Sequence, residues 1–149
     1  MHPNTSLYSQ DFYAWCCATA ALIRAGKWYD IDPEALAEEI DSLGRSQKRE
    51  LGSRVEVLVM HLLKWCYQPT GGEQSHSWYD TILEQRGQIQ ALLDDNLSLR
   101  SQVPDVLGSR YSRARARAIG ETHLHAAVFP ETCPWTDTQV LDDAFWPES

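Results

Sequence analysis

Apolar side chains recur along this chain every three or four residues, which is the spacing of one face of an α-helix. The clearest stretch runs from Leu51 to Gln68. A second stretch, from Trp78 to Leu92, repeats the spacing. No segment of useful length alternates apolar and polar residues as a half-buried strand does. The pattern therefore predicts an all-α fold. The residues expected to form the apolar faces of these two helices are Leu51, Val55, Leu58, Leu62 and Trp65, followed by Trp78, Ile82, Ile89 and Leu92.

Capping and helix-breaking residues divide the pattern into about five helices. Gly26 and Gly44 are expected to end the first two helices, because glycine readily adopts the left-handed conformation of a helix C-terminus. Ser46 and Ser77 are expected to cap the third and fourth. Short loops favour an antiparallel bundle. The predicted helices are about 9–25, 33–43, 46–68, 77–94 and either 99–122 or 104–122.

An irregular tail rich in aromatic residues and proline follows the last long helix. The run from Phe129 to Trp135 contains two prolines and cannot be a regular helix. Thr136 and Gln139 predict a capping box for one short helix, Asp137 to Leu141. We expect the tail to pack back onto the bundle, so that residues 1–149 form a single helical domain. The alternative is an interface with a partner or a second copy, formed by Trp135, Phe145 and Trp146.

Several polar side chains fall on or beside the apolar faces. Such groups need hydrogen-bond partners when they are buried. His61 is central, and its expected carboxylate partner is Glu39 or Glu121. An imidazole beside a carboxylate suits general acid–base chemistry, but a hydrogen-bonded network that fixes helix register is the favoured interpretation. The predicted interior polar cluster consists of Glu39, Arg54, His61, Gln85, Arg86 and Glu121.

Charge and cysteine content indicate which partners and which cellular location to expect. The 149 residues include 21 acidic and 13 basic side chains, for a net charge of −8. Nucleic acid is therefore an improbable partner, and so is an anionic membrane. No apolar run approaches the length of a membrane span, and residues 1–10 do not resemble a secretory signal. The cysteines are interpreted as free thiols. A cytoplasmic location is expected.

The sequence also bears on two other kinds of site, a metal site and a phosphate or nucleic-acid patch. Glu121, His123 and His125 are close in sequence, but zinc-binding signatures such as H-E-x-x-H and C-x-x-C are absent. We therefore expect no metal and no cofactor. Two groups of basic residues are interpreted as solvated, salt-bridged surface rather than as a phosphate or nucleic-acid patch. These groups are Arg45, Lys48, Arg49 and Arg54, and Arg110, Arg113, Arg115 and Arg117.

Specific motifs give the chain a resemblance to a known family. They include Asp11 to Trp15, Leu36 to Gly44, His61 to Pro69 and Phe129 to Trp135. Together they resemble the bacterial family catalogued as number twenty-nine among domains of unknown function, which has many cyanobacterial members. The resemblance implies an all-helical fold and supplies no activity, substrate or cofactor. Where His123 stands, that family tends to have a glycine.

Two hypotheses of function follow from these observations. The first is a non-catalytic protein-interaction module, with an unknown protein partner or self-association. The second is a small enzyme, hydrolytic or nucleic-acid-processing, that uses His61 with a carboxylate. An exposed apolar patch would favour the first hypothesis. A cleft lined by His61 and a carboxylate would favour the second.

Overall fold

The structure is a computed structural model that describes residues 5–69 and 73–148, with side chains for 6–69 and 76–148. Its described residues contain helices and no strand, which confirms the predicted all-α class. Two compact units are present, an N-terminal unit (Met1–Ser46) and a C-terminal unit (Gln47–Ser149). The single-domain expectation stays a prediction. The α-helices are α1 (Thr5–Gln10), α2 (Phe12–Arg24), α3 (Pro33–Tyr67), α4 (Glu73–Asp95), α5 (Val103–Thr122) and α6 (Asp137–Leu141).

Helix α3 is continuous where two separate helices were predicted. Gly44 does not end it and Ser46 does not cap a new helix, so both expectations are wrong. A glycine inside a helix costs about 1 kcal/mol relative to alanine, but it ends the helix only if the backbone turns to positive φ. Gly44 has no positive φ, whereas Gly26, with φ 69°, follows α2 as predicted.

Two other helix starts also differ from the predicted ones. Asp11 interrupts the first predicted helix, because its Oδ1 accepts a hydrogen bond from the Ala14 N–H at 3.0 Å and so caps α2. Ser77 lies inside α4, where its carbonyl accepts from Thr81 Oγ1 at 2.9 Å. The capping role predicted for Ser77 is therefore wrong. The capping box of Thr136 and Gln139 at the start of α6 is confirmed.

Helix α5 ends in a conformation that usually requires glycine. Its C-cap is His123, which has φ 58° and donates its backbone N–H to the Ile119 carbonyl at 3.0 Å. A side chain with a Cβ is strained in this left-handed region, although histidine enters it more often than most residues. A glycine would adopt this conformation without the strain, because it has no Cβ.

The N-terminal unit has a small core. It contains α1, α2, a 3₁₀ turn at Trp28–Asp30 and the start of α3. Trp15 is 3% exposed, and its ring lies 4.8 Å from that of Tyr8 and 5.8 Å from that of Phe12. The other buried residues of this unit are Thr19, Ile31 and Ala35. Most of its remaining apolar side chains are exposed or only partly covered.

The C-terminal unit is a helical bundle with one continuous core. Residues of α3, α4 and α5 meet there, and two tail residues, Phe129 and Val140, are each only 1% exposed. The prediction that the tail packs on the bundle is therefore confirmed. The residues with no exposed surface at all are Leu51, Leu58, Leu62, Leu63, Ile82, Ile89, Ala114 and Ala118.

Candidate functional sites

His61 forms its hydrogen bond with the backbone. Its Nδ1 lies 2.8 Å from the Val57 carbonyl, so Nδ1 carries the proton and donates it. Burial lowers the pKa of His61 below its usual 6.5, and the nearby Lys64 ammonium lowers it further. The imidazole is therefore neutral at pH 7. No described side chain hydrogen-bonds to His61, and Glu121 acts on it only through space.

The two carboxylates proposed for His61 bind other partners. Glu39, in the N-terminal unit, accepts a hydrogen bond from Tyr8 Oη at 2.6 Å, which raises the pKa of Tyr8 to about 12. Glu121, in the C-terminal unit, accepts from Lys64 Nζ at 2.8 Å. That hydrogen bond lowers the pKa of Glu121.

Lys64 is a buried cation that sequence reasoning missed. Its side chain is only 10% exposed, and its Nζ lies 4.9 Å from the centre of the Trp78 ring. With Trp78, Glu121 and two other residues, it lines an open cavity of about 390 Å³. A signal existed in the sequence, because this end of α3 is apolar on every side and such a helix is buried all round. The remaining lining residues are Gln68 and Ser77.

Arg54 and Gln85 are the members of the predicted cluster that meet. Arg54 Nη1 lies 3.4 Å from Gln85 Oε1, and Arg54 Nε is paired with Glu50 Oε1 at 3.1 Å. With Ser53 and Val57 they line a shallow groove of about 280 Å³. The Arg54–Glu50 pair is largely exposed and follows the i, i+4 spacing of a surface helix, so it contributes a few tenths of a kcal/mol.

Arg86, another member of the predicted cluster, binds the tail. It is 2% exposed, and it donates from Nε to the Val140 carbonyl at 2.8 Å and from Nη2 to the Phe145 carbonyl at 2.9 Å. Its guanidinium carbon lies 5.3 Å from the centre of the Trp146 ring. Burial lowers the pKa of Arg86, and its buried Nη1 has no hydrogen-bond partner among the described residues. Arg86 thus fastens the tail through backbone carbonyls.

The aromatic residues proposed as an interface contact their own chain. Trp146 stacks on Tyr79 with ring centres 4.7 Å apart and lies 4.9 Å from Trp65. Trp135 and Phe145 form an edge-to-face pair at 6.4 Å. All three predicted interface residues are partly buried, and Trp135 and Trp146 pack against the core of the C-terminal unit.

A cluster of one carboxylate and three arginines was not predicted as a site. Glu56, with a side chain 9% exposed, is paired through Oε1 with Arg110 at 3.4 Å and with Arg113 at 3.5 Å. Its Oε2 is paired with Arg117 at 3.1 Å. We call these residues the Glu56 cluster. The arginine stripe on α5 had been interpreted as salt-bridged surface, but its carboxylate partner was not identified.

An exposed apolar surface lies within the N-terminal unit. A groove of about 430 Å³ runs beside the first turns of α3. Further along the same helix, Leu43 is 67% exposed, and Ile40 on the groove's edge is 59% exposed. This is the kind of patch expected of the interaction hypothesis. The residues lining the groove are Trp28, Tyr29, Ile31, Pro33, Leu36, Ala37 and Ile40.

Comparison with known proteins identifies the family. The family model described as "Domain of unknown function DUF29" matches residues 7–146. The chain belongs to the DUF29 family. No curated protein and no solved structure matches this DUF29 chain. The family description carries no activity, so the function has to be argued from the sites themselves.

Two further properties of the described residues bear on the sites. No three His, Cys, Asp or Glu side chains come together there as metal ligands. None of the helices within 5–69 and 73–148 has both the length and the apolar character needed to cross a bilayer.

Proposed function

We propose that this DUF29 protein is a non-catalytic protein-interaction module that pairs with a second copy of itself through the first part of α3. The observation that carries this proposal is the apolar stripe of Leu36, Ile40 and Leu43, of which Ile40 and Leu43 are exposed. Their spacing of four and then three residues is that of a coiled-coil seam. Burying a large aliphatic side chain stabilises an association by about 1.5–3 kcal/mol. Ile40 and Leu43 are exposed in the single chain, so a partner that covered them would gain this stabilisation.

Two small residues beside this stripe would let a second helix approach closely. Ala37 and Gly44 are both exposed and lie seven residues apart, on the same side of α3. A Cβ added to Gly44 would meet nothing within 4 Å, so no described part of its own chain requires a glycine there. Glycine inside a helix is destabilising unless a close contact makes use of it. A neighbouring α3 would supply that contact.

The charges along the start of α3 leave the proposed seam apolar. At 100° per residue, Glu34, Glu38, Asp41 and Arg45 fall on the side of the helix opposite the stripe of Leu36, Ile40 and Leu43. They would therefore stay in solvent when two copies pair through the stripe. A symmetric dimer of this kind uses the same patch on both copies.

The cysteines support the expected location. Cys16, Cys17, Cys66 and Cys133 are free thiols. Unpaired thiols suit a reducing compartment, so the proposed module is assigned to the cytoplasm.

An acid–base role for His61 has less support. The hypothesis requires a carboxylate that is hydrogen-bonded to the imidazole. Among the described residues, His61 is instead hydrogen-bonded to the Val57 carbonyl, and Glu121 is hydrogen-bonded to the Lys64 ammonium. The interaction hypothesis needs an uncovered apolar face, and the N-terminal unit provides one.

The mass of the protein in solution tests the proposal. Light scattering across a range of concentrations should give a dimer for the wild-type chain and a monomer for Leu43→Glu. Leu97→Glu is the matched control, because Leu97 is also 67% exposed but lies outside α3. Circular dichroism should show that both variants remain helical.

Three outcomes would contradict self-pairing. They are a wild-type chain that stays monomeric at every concentration, a Leu43→Glu variant that still dimerises, and a Leu97→Glu variant that dissociates equally. A monomer whose Leu43 surface binds a different protein would retain the interaction function but would overturn the second copy as its partner.

A further inference from the structure

The Glu56 cluster contains more positive charge than its carboxylate can neutralise. One carboxylate, with a side chain 9% exposed, faces the guanidinium groups of Arg110, Arg113 and Arg117. A single well-placed arginine is enough to pair with a buried carboxylate. Among these four side chains of the C-terminal unit, two positive charges are left over. Surplus charge on a protein with a net charge of −8 calls for an explanation.

Gly52 allows Arg110 to serve as the inner partner. A Cβ on Gly52 would lie 2.6 Å from Arg110 Nε, so the guanidinium of Arg110 crosses α3 in the space that the missing side chain leaves. Arg110 has a side chain 23% exposed, the most covered of the three. With Arg110 in this position, Glu56 retains a partner even when the two outer arginines bind something else.

Arg113 and Arg117 present their other donors to solvent. Each guanidinium has five N–H donors in a planar fork. The shortest contact to Glu56 uses Nε of Arg113 and Nη1 of Arg117. Their side chains are 71% and 45% exposed. They lie four residues apart on α5, close enough for both guanidiniums to reach one small group.

We propose that Arg113 and Arg117, held in place by Glu56, bind a single phosphate group of a small phosphorylated molecule. Paired guanidiniums match the geometry of phosphate oxygens and form short, charge-assisted hydrogen bonds with them. Glu56 reduces the conformational freedom that the two side chains lose on binding. The net charge of −8 argues for a small phosphate source over a long polyanion, which the rest of the chain would repel.

Titration with inorganic phosphate at constant ionic strength tests the site. Wild-type protein, followed by NMR at pH 7.5, should show saturable shifts of α5 amides. Arg113→Gln should weaken binding by about fivefold or more, because it removes one of two charge-assisted donors. This variant leaves Arg110 and Arg117 on Glu56, so the fold should be retained, as circular dichroism can check. Arg100→Gln, at an exposed arginine paired with Asp94, should bind as wild type does.

The same titration distinguishes the sources of the phosphate. Phosphoserine and a short single-stranded oligonucleotide are added in separate arms at matched phosphate concentration. Phosphate and phosphoserine binding that Arg113→Gln reduces, with no stronger binding of the oligonucleotide, supports the proposal. Stronger oligonucleotide binding would overturn the small-molecule assignment. The site itself would be refuted by non-saturable wild-type shifts, by equal affinity in Arg113→Gln, or by an equal loss in Arg100→Gln.

Discussion

The N-terminal unit and the C-terminal tail are both rich in aromatic side chains, but the N-terminal unit leaves more of them exposed. Phe129 in the tail is 1% exposed, whereas Trp28 and Tyr13 in the N-terminal unit are 63% and 80% exposed. The difference depends on backbone polar groups as much as on apolar side chains. An irregular segment can be buried only if its backbone carbonyls accept hydrogen bonds.

Donors from the helices satisfy the tail. Tyr111 Oη donates to the Pro130 carbonyl at 2.6 Å, and Arg115 donates to the carbonyls of Phe129 at 3.2 Å and Ala126 at 2.8 Å. With Arg86, these residues fix a segment that has little regular structure of its own. The exposed face of α3 has no such requirement, because the backbone N–H and C=O groups of a helix are hydrogen-bonded to each other. The tail aromatics are thus part of the fold, while much of the N-terminal apolar surface stays exposed.

The strongest test of this contrast removes the tail. A chain lacking residues 129–149 should lose well over the 3–5 kcal/mol that is typical of truncating one large buried aromatic residue. Urea unfolding followed by circular dichroism measures the loss. As the N-terminal counterpart, Trp28→Ala should change the unfolding free energy by only about 0.5 kcal/mol, as exposed positions usually do. A truncated chain with an unchanged midpoint and slope would show that the tail is not part of the fold.

A single buried arginine tests how the tail is held. Arg86→Met should lower the unfolding free energy by about 1–3 kcal/mol, because the Val140 and Phe145 carbonyls lose their donor. Arg100→Met removes only an exposed ion pair with Asp94 and should cost less than about 0.5 kcal/mol. Urea titration of both variants provides the comparison. Equal effects would mean that the hydrogen bonds of Arg86 do not stabilise the tail.

A substitution at the C-terminal end of α5, just before the tail, should make the protein more stable. His123→Gly should stabilise the protein by about 1 kcal/mol, because glycine has no Cβ to strain at φ 58°. His123→Ala is the control, since it removes the imidazole but keeps the Cβ, and it should bring no such gain. Thermal unfolding measures both variants. If alanine stabilises as much as glycine, the gain comes from the lost side chain and not from the backbone.

Much of the fold could be predicted from the sequence, because the apolar spacing of each helix is local information. The end of α2 at Gly26 and the start of α6 at Thr136 also depend on residues within one turn. The continuity of α3 through Gly44 could not be predicted this way. A glycine permits a left-handed turn but does not impose one, so the surrounding structure decides.

The candidate sites were harder to predict, for a geometric reason. Helix spacing gives the face on which a side chain lies, but not the distance to a side chain on another helix. Glu121 was expected in an interior polar cluster, but its side chain is 46% exposed and its partner is Lys64, not His61. Glu56 was missed because its three arginines come from a helix more than fifty residues away. The sequence also could not show that Ile40 and Leu43 are exposed, because apolar residues have the same spacing on a helix face that packs in a core and on one that forms an interface.

Self-pairing through α3 can be tested by detecting contacts between copies directly. In an equal mixture of ¹³C-labelled and unlabelled protein, isotope-filtered NOEs report only the protons that lie close together across an interface. If two copies pair through α3, intermolecular NOEs should arise from the methyl groups of Ile40 and Leu43 and should be lost in Leu43→Glu. Intermolecular NOEs at Trp135 or Trp146 instead, or none at concentrations above a few hundred micromolar, would contradict this pairing.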